Sequence, residues 1–129
     1  MLDSSALVAI AQDEPESDPF LDVIERSRCL VGAPTLVECH LVLRSRGFVA
    51  AIELLNALAT SDNVTIVAFD AAHYRLACDA FDRYGKGRGH PAQLNFGDCL
   101  SYAVAKFHDA PLLFKGEDFR HTDLRSASP

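Results

Sequence analysis

Residues 64–84, VTIVAFDAAHYRLACDAFDRY, give the clearest indication of the fold. Their pattern predicts an extended segment that is followed directly by a helix. Residues 64–69 form a β-branched and apolar run of strand length that ends at Asp70. From residue 70 to 84 the apolar positions recur at helical spacing. They are Leu76, Ala77, Ala80 and Phe81. A strand followed by an amphipathic helix is the unit from which parallel sheets are built.

Similar units precede and follow this stretch. Helical periodicity predicts a helix after Ser4 and Ser5, and further helices over residues 18–28, 35–46, 48–59 and 95–107. In the helix over 35–46, the inward positions are Val37, Leu41 and Leu43. Short strands are predicted at residues 30–32, 111–114 and 122–124, and the Gly- and Pro-rich residues 84–91 predict a loop. This alternation predicts one α/β domain over residues 1–129, with a short, mostly parallel central sheet and helices on both faces.

The amino-acid composition excludes some classes of protein. A chain of 129 residues with 49% hydrophobic and 23% charged residues is an ordinary globular domain. Its 12 Lys and Arg against 18 Asp and Glu give a formal net charge of −6. This balance excludes a wholly basic nucleic-acid-binding surface but leaves room for a local basic patch. The longest wholly apolar stretch, residues 6–11, is far shorter than the roughly 20 residues of a membrane helix, so we expect no membrane association and a cytoplasmic protein.

Four acidic residues lie just after a predicted strand or in the first turns of the next helix. They are Asp3, Glu38, Asp98 and Asp118. The carboxyl ends of parallel strands meet at one edge of the sheet, so we expect these acids to converge within a few ångströms. Four like charges so close repel strongly unless a cation lies between them. The oxygen ligands suit Mg²⁺ or Mn²⁺, and a metal so held can activate water for phosphodiester hydrolysis.

Each acid also has a purely structural interpretation. Asp3 would cap the first helix, and Glu38 would complete a capping box with Thr35. Asp98 would lie three positions after an Asn95 cap, where the helix dipole favours a negative charge. If all of these acids only cap helices, the chain is a non-catalytic binding module.

A group of basic and polar residues predicts a substrate-binding surface. Arg83, Lys86 and Arg88 surround Tyr84 directly before the predicted Asp98 helix, which suits contacts to an RNA backbone and a stacked base. The alternative for this segment is a solvated polar loop. Three further basic residues are expected to extend the patch, namely Arg44, Arg46 and Lys115. The helix that begins at Asn95 is expected to offer backbone N–H groups to an anion. For Ser5 we expect either that it orients Asp3 or a metal-bound water, or that it only caps the first helix.

Four separated motifs together resemble a known family. They are LDSSAL at residues 2–7, PTLVE at 34–38, LNFGDCLSYA at 94–103 and LLFKGEDF at 112–119. In this order, and over nearly the whole chain, they resemble PIN-domain ribonucleases, and more narrowly the VapC toxins of bacterial type II toxin–antitoxin pairs. The segment YGKGRGHP at 84–91 is typical of one VapC subgroup.

The resemblance implies a single PIN-like domain with Mg²⁺- or Mn²⁺-dependent endoribonuclease activity. It places the family's catalytic and metal-binding acids on Asp3, Glu38, Asp98 and Asp118, with Glu117 as a competitor for the fourth position. It also implies a homodimer, a VapB-type antitoxin as inhibitor, and a structured RNA such as tRNA or rRNA as target. Only two residues precede Asp3, where the family has a longer first strand, so the length of that strand stays open. The alternatives are a PIN-fold nuclease or phosphatase with another substrate, and the non-catalytic module.

Overall fold

Helices and short strands alternate along the chain, as the periodicity predicts. The computed structural model describes residues 1–129. Its α-helices are α1 (Ser4–Ala11), α2 (Ser17–Glu25), α3 (Ala33–Ser45), α4 (Ala51–Ala59), α5 (Ala71–Tyr84) and α6 (Phe96–Phe107). Its strands are β1 (Cys29–Gly32) and β2 (Val64–Val67), and a 3₁₀ turn covers Asp118–His121. None of the helices has both the length and the apolar character needed to cross a membrane.

The sheet is parallel and is centred on Leu2. Strand β1 pairs with β2 in parallel, and single-residue parallel bridges place Leu2 between Val31 and Leu113. A last parallel bridge joins Leu112 to Ser126. The spatial order is therefore β2, β1, Leu2, residues 112–113 and residue 126, which confirms the predicted α/β architecture with a short, mostly parallel sheet. Leu2 lies at the centre of this order. Asp3, the next residue, therefore lies at the carboxyl edge of the sheet, near its middle.

Two buried clusters pack on the helices that cover the sheet. One joins the sheet to α1, α2, α3 and α4 and includes Leu7, Phe20 and Leu43. The other joins it to α5 and α6 and includes Leu94 and Tyr102. Helices α3, α4 and α6 contact the strands directly, whereas α2 packs on α1 and α5 packs on α6.

Several predicted boundaries are wrong for local reasons. Residues 122–124 form bends and no strand, because the Thr122 hydroxyl donates to the Phe119 carbonyl at 2.8 Å and continues the 3₁₀ turn. The strand predicted at residues 111–114 is reduced to single-residue bridges at Leu112 and Leu113, and the segment before Asp3 contributes only the bridged residue Leu2. Helix α3 begins at Ala33 with Gly32 as its N-cap, so the capping box of Thr35 with Glu38 does not form.

Candidate functional site

All four predicted acids line one cavity of about 290 Å³ at the carboxyl edge of the sheet, here called the acidic cavity. Each comes from a different element. Asp3 follows the central Leu2, Glu38 lies on α3, Asp98 is in the first turn of α6, and Asp118 begins the 3₁₀ turn. Three apolar residues form part of its wall and were not predicted as site residues, namely Val8, Val42 and Phe119. Val42 follows Glu38 by one helical turn, so helical spacing could have found it.

Only one of the two carboxylate oxygens of Asp3 accepts hydrogen bonds when Asp3 caps α1. The residue is 1% exposed, and its Oδ2 accepts hydrogen bonds from the Ser5 N–H at 2.9 Å and the Ser5 hydroxyl at 2.5 Å. Its other oxygen, Oδ1, is buried and has no hydrogen-bond partner. A buried carboxylate oxygen without a donor is costly, so this atom is set up for a positive ligand.

Ser5 also connects Asp3 to the backbone of Lys115. Its Oγ accepts a hydrogen bond from the Lys115 N–H at 3.0 Å while it donates to Asp3. The hydroxyl is thus held at both ends, and it fixes the orientation of the Asp3 carboxylate.

Asp98 does form the predicted cap. Its Oδ2 accepts from the Asn95 N–H at 2.8 Å, and the Asn95 Oδ1 accepts from the Asp98 N–H at 2.9 Å. Such a cap alone lowers a carboxyl pKa. Burial instead raises the pKa of Asp98 to about 6, assisted by the negative charges of Asp3, Asp118 and Glu38. The pKa of Asp98 is therefore subject to opposing effects: the cap lowers it, while burial and the nearby like charges raise it.

Glu38 lies directly against the backbone of Gly97. A Cβ at residue 97 would be 2.3 Å from Oε1 and 2.4 Å from Oε2 of Glu38, so a larger residue would displace the carboxylate. Burial, and then the charge of Asp3, raise the pKa of Glu38. The carboxylate of α3 therefore reaches the start of α6 because residue 97 has no side chain.

The structure separates the two candidates for the fourth acid. Asp118 lines the acidic cavity, and its charge contributes to the raised pKa of Asp98. Glu117 is exposed and pairs with the Arg120 Nε at 3.3 Å. Asp118 is thus the acid that shares the cavity with Asp3, Glu38 and Asp98.

The acids do not form a closed cage for an ion. No three His, Cys, Asp or Glu side chains lie close enough together to enclose a metal, which corrects the expected convergence within a few ångströms. Hydrogen bonds to neighbouring backbone groups hold Asp3 and Asp98 in place. The donor set still fits Mg²⁺ or Mn²⁺, because it is all oxygen, and Mg²⁺ is usually bound by one or two carboxylates and several waters.

Of the three basic residues around Tyr84 in the predicted patch, one is ion-paired within the protein and two are not. Arg83 lies on α5, and its guanidinium pairs with Asp79 at 3.3 Å and Asp123 at 3.5 Å. Lys86 and Arg88 are exposed and form no ion pair, and they belong to a loop closed at its base by the Lys86 N–H to Leu94 carbonyl hydrogen bond of 2.9 Å. None of these three lines the acidic cavity, but the loop leads directly into Asn95, which does.

A separate apolar groove of about 840 Å³ lies between α5 and α6. Phe81 lines it, and so does Phe96, which is 80% exposed. The predicted inward positions Val37 and Leu41 are also exposed beside it, whereas Leu43 is buried. The apolar stripe of α3 is therefore wider than the surface that the sheet can cover.

Comparison with known proteins gives consistent matches over the chain. Residues 1–124 match the PIN domain family. The chain is 39% identical over 128 residues to ribonuclease VapC42 of Mycobacterium tuberculosis, with 98% of each chain covered. It is 40% identical over 129 residues to ribonuclease VapC30 of the same organism, with 99% of this chain and 98% of VapC30 covered.

Two solved structures share the fold. One is Mycobacterium tuberculosis VapC20, described as a sarcin–ricin-loop-cleaving toxin, with a TM-score of 0.80, 16% identity, and 99% and 98% of the two chains covered. The other belongs to a toxin–antitoxin complex from Klebsiella pneumoniae, with a TM-score of 0.70, 15% identity, and 95% and 91% covered.

Proposed function

Because the chain belongs to the PIN-domain family and, within it, to the VapC ribonucleases, we propose that it is a metal-dependent endoribonuclease toxin that hydrolyses phosphodiester bonds in RNA. The observation that carries the proposal is the acidic cavity, which three further acids line together with Asp3, whose carboxylate has one oxygen without a hydrogen-bond partner. Helix capping accounts for one oxygen of Asp3 and leaves the other without a partner.

Asp3 and Asp98 would hold a Mg²⁺ or Mn²⁺ ion, Glu38 would complete its ligands or hold a water, and Asp118 would bind a second ion or position water. The unpartnered Asp3 Oδ1 is the atom that favours this assignment. When bound, a divalent cation supplies Lewis-acid polarisation of the phosphate and makes a nearby water more acidic.

The chain's own residues orient the reactants and move the proton. Glu38 is half-buried with a raised pKa, so its carboxylate is placed to accept a proton from the attacking water. Ser5 fixes the Asp3 carboxylate, and the N-terminus of the 12-residue helix α6 beside Asn95 favours a phosphate. Lys86 and Arg88 would contact the RNA backbone, and Arg83, whose charge is already paired, would support the loop at its root.

The proposal is tested by incubating the protein with RNA in Mg²⁺. We expect cleavage that is lost in EDTA and lost in Asp98→Asn. EDTA removes the divalent metal ion, and Asp98→Asn removes one of the carboxylates proposed to hold it. Asp62→Asn, which alters an exposed acid outside the cavity, is the matched control and should cleave like wild type. Cleavage that survives both EDTA and Asp98→Asn contradicts the proposal.

Substrate class is tested in the same assay. We propose structured RNA, such as tRNA or rRNA, as the target, and such a substrate would place the protein in the cytoplasm. Single-stranded DNA and a generic phosphomonoester serve as competitors in parallel reactions. Turnover of either one faster than RNA would favour the alternative nuclease or phosphatase.

We further propose a VapB-type antitoxin as the natural inhibitor. A pocket with four carboxylates is complementary to an arginine side chain, whose guanidinium binds carboxylates in a bidentate manner. Adding the antitoxin should therefore suppress cleavage while the metal content, measured on the isolated complex, stays unchanged. Inhibition that requires loss of metal would contradict this mode of binding.

We also propose a homodimer through the apolar groove. A twofold interface needs one self-complementary surface, and this face carries both a protruding side chain, Phe96, and a cavity beside it. Light scattering after size exclusion should give a dimer for wild type and a monomer for Phe96→Ser. Val49→Ser, an exposed apolar residue outside the groove, should remain a dimer, and a dimeric Phe96→Ser would contradict the assignment.

A further inference from the structure

Arg46 occupies an unusual position at the acidic cavity. It is the C-cap of α3 and lines the cavity together with the four acids, yet it takes part in none of the ion pairs of the chain. Its Nη1 instead donates a hydrogen bond of 2.9 Å to the Oε1 of Gln12, the C-cap of α1. The guanidinium is thus held in place by a neutral amide.

The other basic residue that lines the cavity differs in this respect. The Lys115 Nζ is bound by Glu14 at 2.5 Å and by Glu16 at 3.0 Å, so its charge is neutralised by two carboxylates. Arg46 keeps its full charge, because an amide oxygen accepts a hydrogen bond without carrying a negative charge. In a chain with a net charge of −6, a positive group held beside the acids, but not paired with them, is available to an incoming anion.

We propose that Arg46, oriented by Gln12, binds a backbone phosphate of the substrate at the mouth of the acidic cavity and so places the neighbouring phosphodiester among the acids. A guanidinium presents five N–H donors in a planar fork, so the one used for Gln12 leaves several for phosphate oxygens. The assignment rests on the proposed nuclease function. It adds a residue whose positive charge offsets the repulsion between the RNA phosphates and the four acids.

The first test separates binding from turnover. Arg46→Ala should raise KM for RNA roughly 10- to 100-fold, the range expected for hydrogen bonds to a charged group, while kcat changes less than about threefold. Arg46→Lys should restore part of this loss, because it returns the charge without the fork. Gln12→Glu should resemble Arg46→Ala, since the new carboxylate would neutralise an unaltered Arg46. Arg75→Ala, which removes an exposed charge on α5 away from the cavity, is the matched control.

The second test does not depend on catalysis. Fluorescence anisotropy of a labelled single-stranded RNA in EDTA should show weaker binding by Arg46→Ala than by Arg75→Ala. The slope of log Kd against log salt should also fall by about 0.7, the value for one phosphate contact on a single strand. Circular dichroism melting of each variant verifies that the fold is retained.

The outcomes of the two tests are distinguishable. Equal Kd and equal salt slope for Arg46→Ala and Arg75→Ala overturn the role of Arg46, while Mg²⁺-dependent cleavage by wild type leaves the proposed function standing. Conversely, wild type that binds RNA through Arg46 but never cleaves it supports the phosphate contact and removes the nuclease proposal.

Discussion

Replacing Asp98 with asparagine should stabilise the metal-free protein at neutral pH, although loss of a helix-capping charge alone would destabilise it. Burial and three neighbouring acids raise the pKa of Asp98 from 3.8 to about 6. At about 1.4 kcal/mol per pKa unit, this difference corresponds to roughly 3 kcal/mol that the folded protein loses when the carboxyl group ionises.

The sign follows from proton linkage. The folded state binds the proton more tightly than the unfolded state, so the stabilisation is complete below about pH 4 and is lost as pH rises to about 6. Asparagine cannot ionise, and its amide oxygen can still accept the hydrogen bond from the Asn95 N–H. The Asp98→Asn variant therefore avoids the penalty that wild type carries above pH 6.

The measurement is urea unfolding followed by circular dichroism in EDTA at pH 7.5 and pH 4.5. We expect Asp98→Asn to be about 1–3 kcal/mol more stable than wild type at pH 7.5, with a clearly smaller difference at pH 4.5. In parallel samples without EDTA, Mg²⁺ at 10 to 100 times its Kd should stabilise wild type by about 1–3 kcal/mol and leave Asp98→Asn nearly unchanged. Asp62→Asn should follow wild type in every condition.

The opposite sign of the stability change would contradict a role for charge crowding at Asp98. If Asp98→Asn is less stable than wild type by about 0.3–1 kcal/mol at both pH values, Asp98 acts only through the helix dipole. An equal response of both proteins to Mg²⁺ would further show that the acids are caps and that the chain is a binding module.

Three other substitutions test the parts of the site. Gly97→Ala should displace the Glu38 carboxylate, cost about 1–3 kcal/mol in urea unfolding and reduce RNA cleavage at least tenfold, whereas a fully active variant would show that Glu38 is dispensable. Ser5→Ala removes the hydroxyl that donates to Asp3 and should lower the unfolding free energy by about 1–2 kcal/mol; unchanged stability and cleavage would argue against its orienting role. Arg83→Ala should cost about 0.2–1 kcal/mol through its lost ion pairs with little change in RNA affinity, and a large loss of affinity would return it to the RNA-binding surface.

The order of helices and strands was predictable because it depends on local periodicity. Helices α5 and α6 begin directly after the N-caps Asp70 and Asn95, close to the predicted starts at residues 70 and 95. The position of the last sheet segment was not predictable in this way, because strand pairing joins segments that are distant in sequence. Residue 126, rather than residues 122–124, pairs with Leu112 because the 3₁₀ turn has to finish before the chain reaches the sheet edge.

Which acids could meet was readable from local sequence patterns, since these place each acid just after a predicted strand or in the first turns of the next helix. Three features of the site instead depend on the folded chain: one oxygen of Asp3 lacks a donor, Glu38 packs on the bare backbone of Gly97, and Arg46 is held by Gln12, 34 residues away. Local patterns depend on neighbours within a turn or two. Burial, charge crowding and side-chain pairing depend on segments that the folded sheet alone brings together.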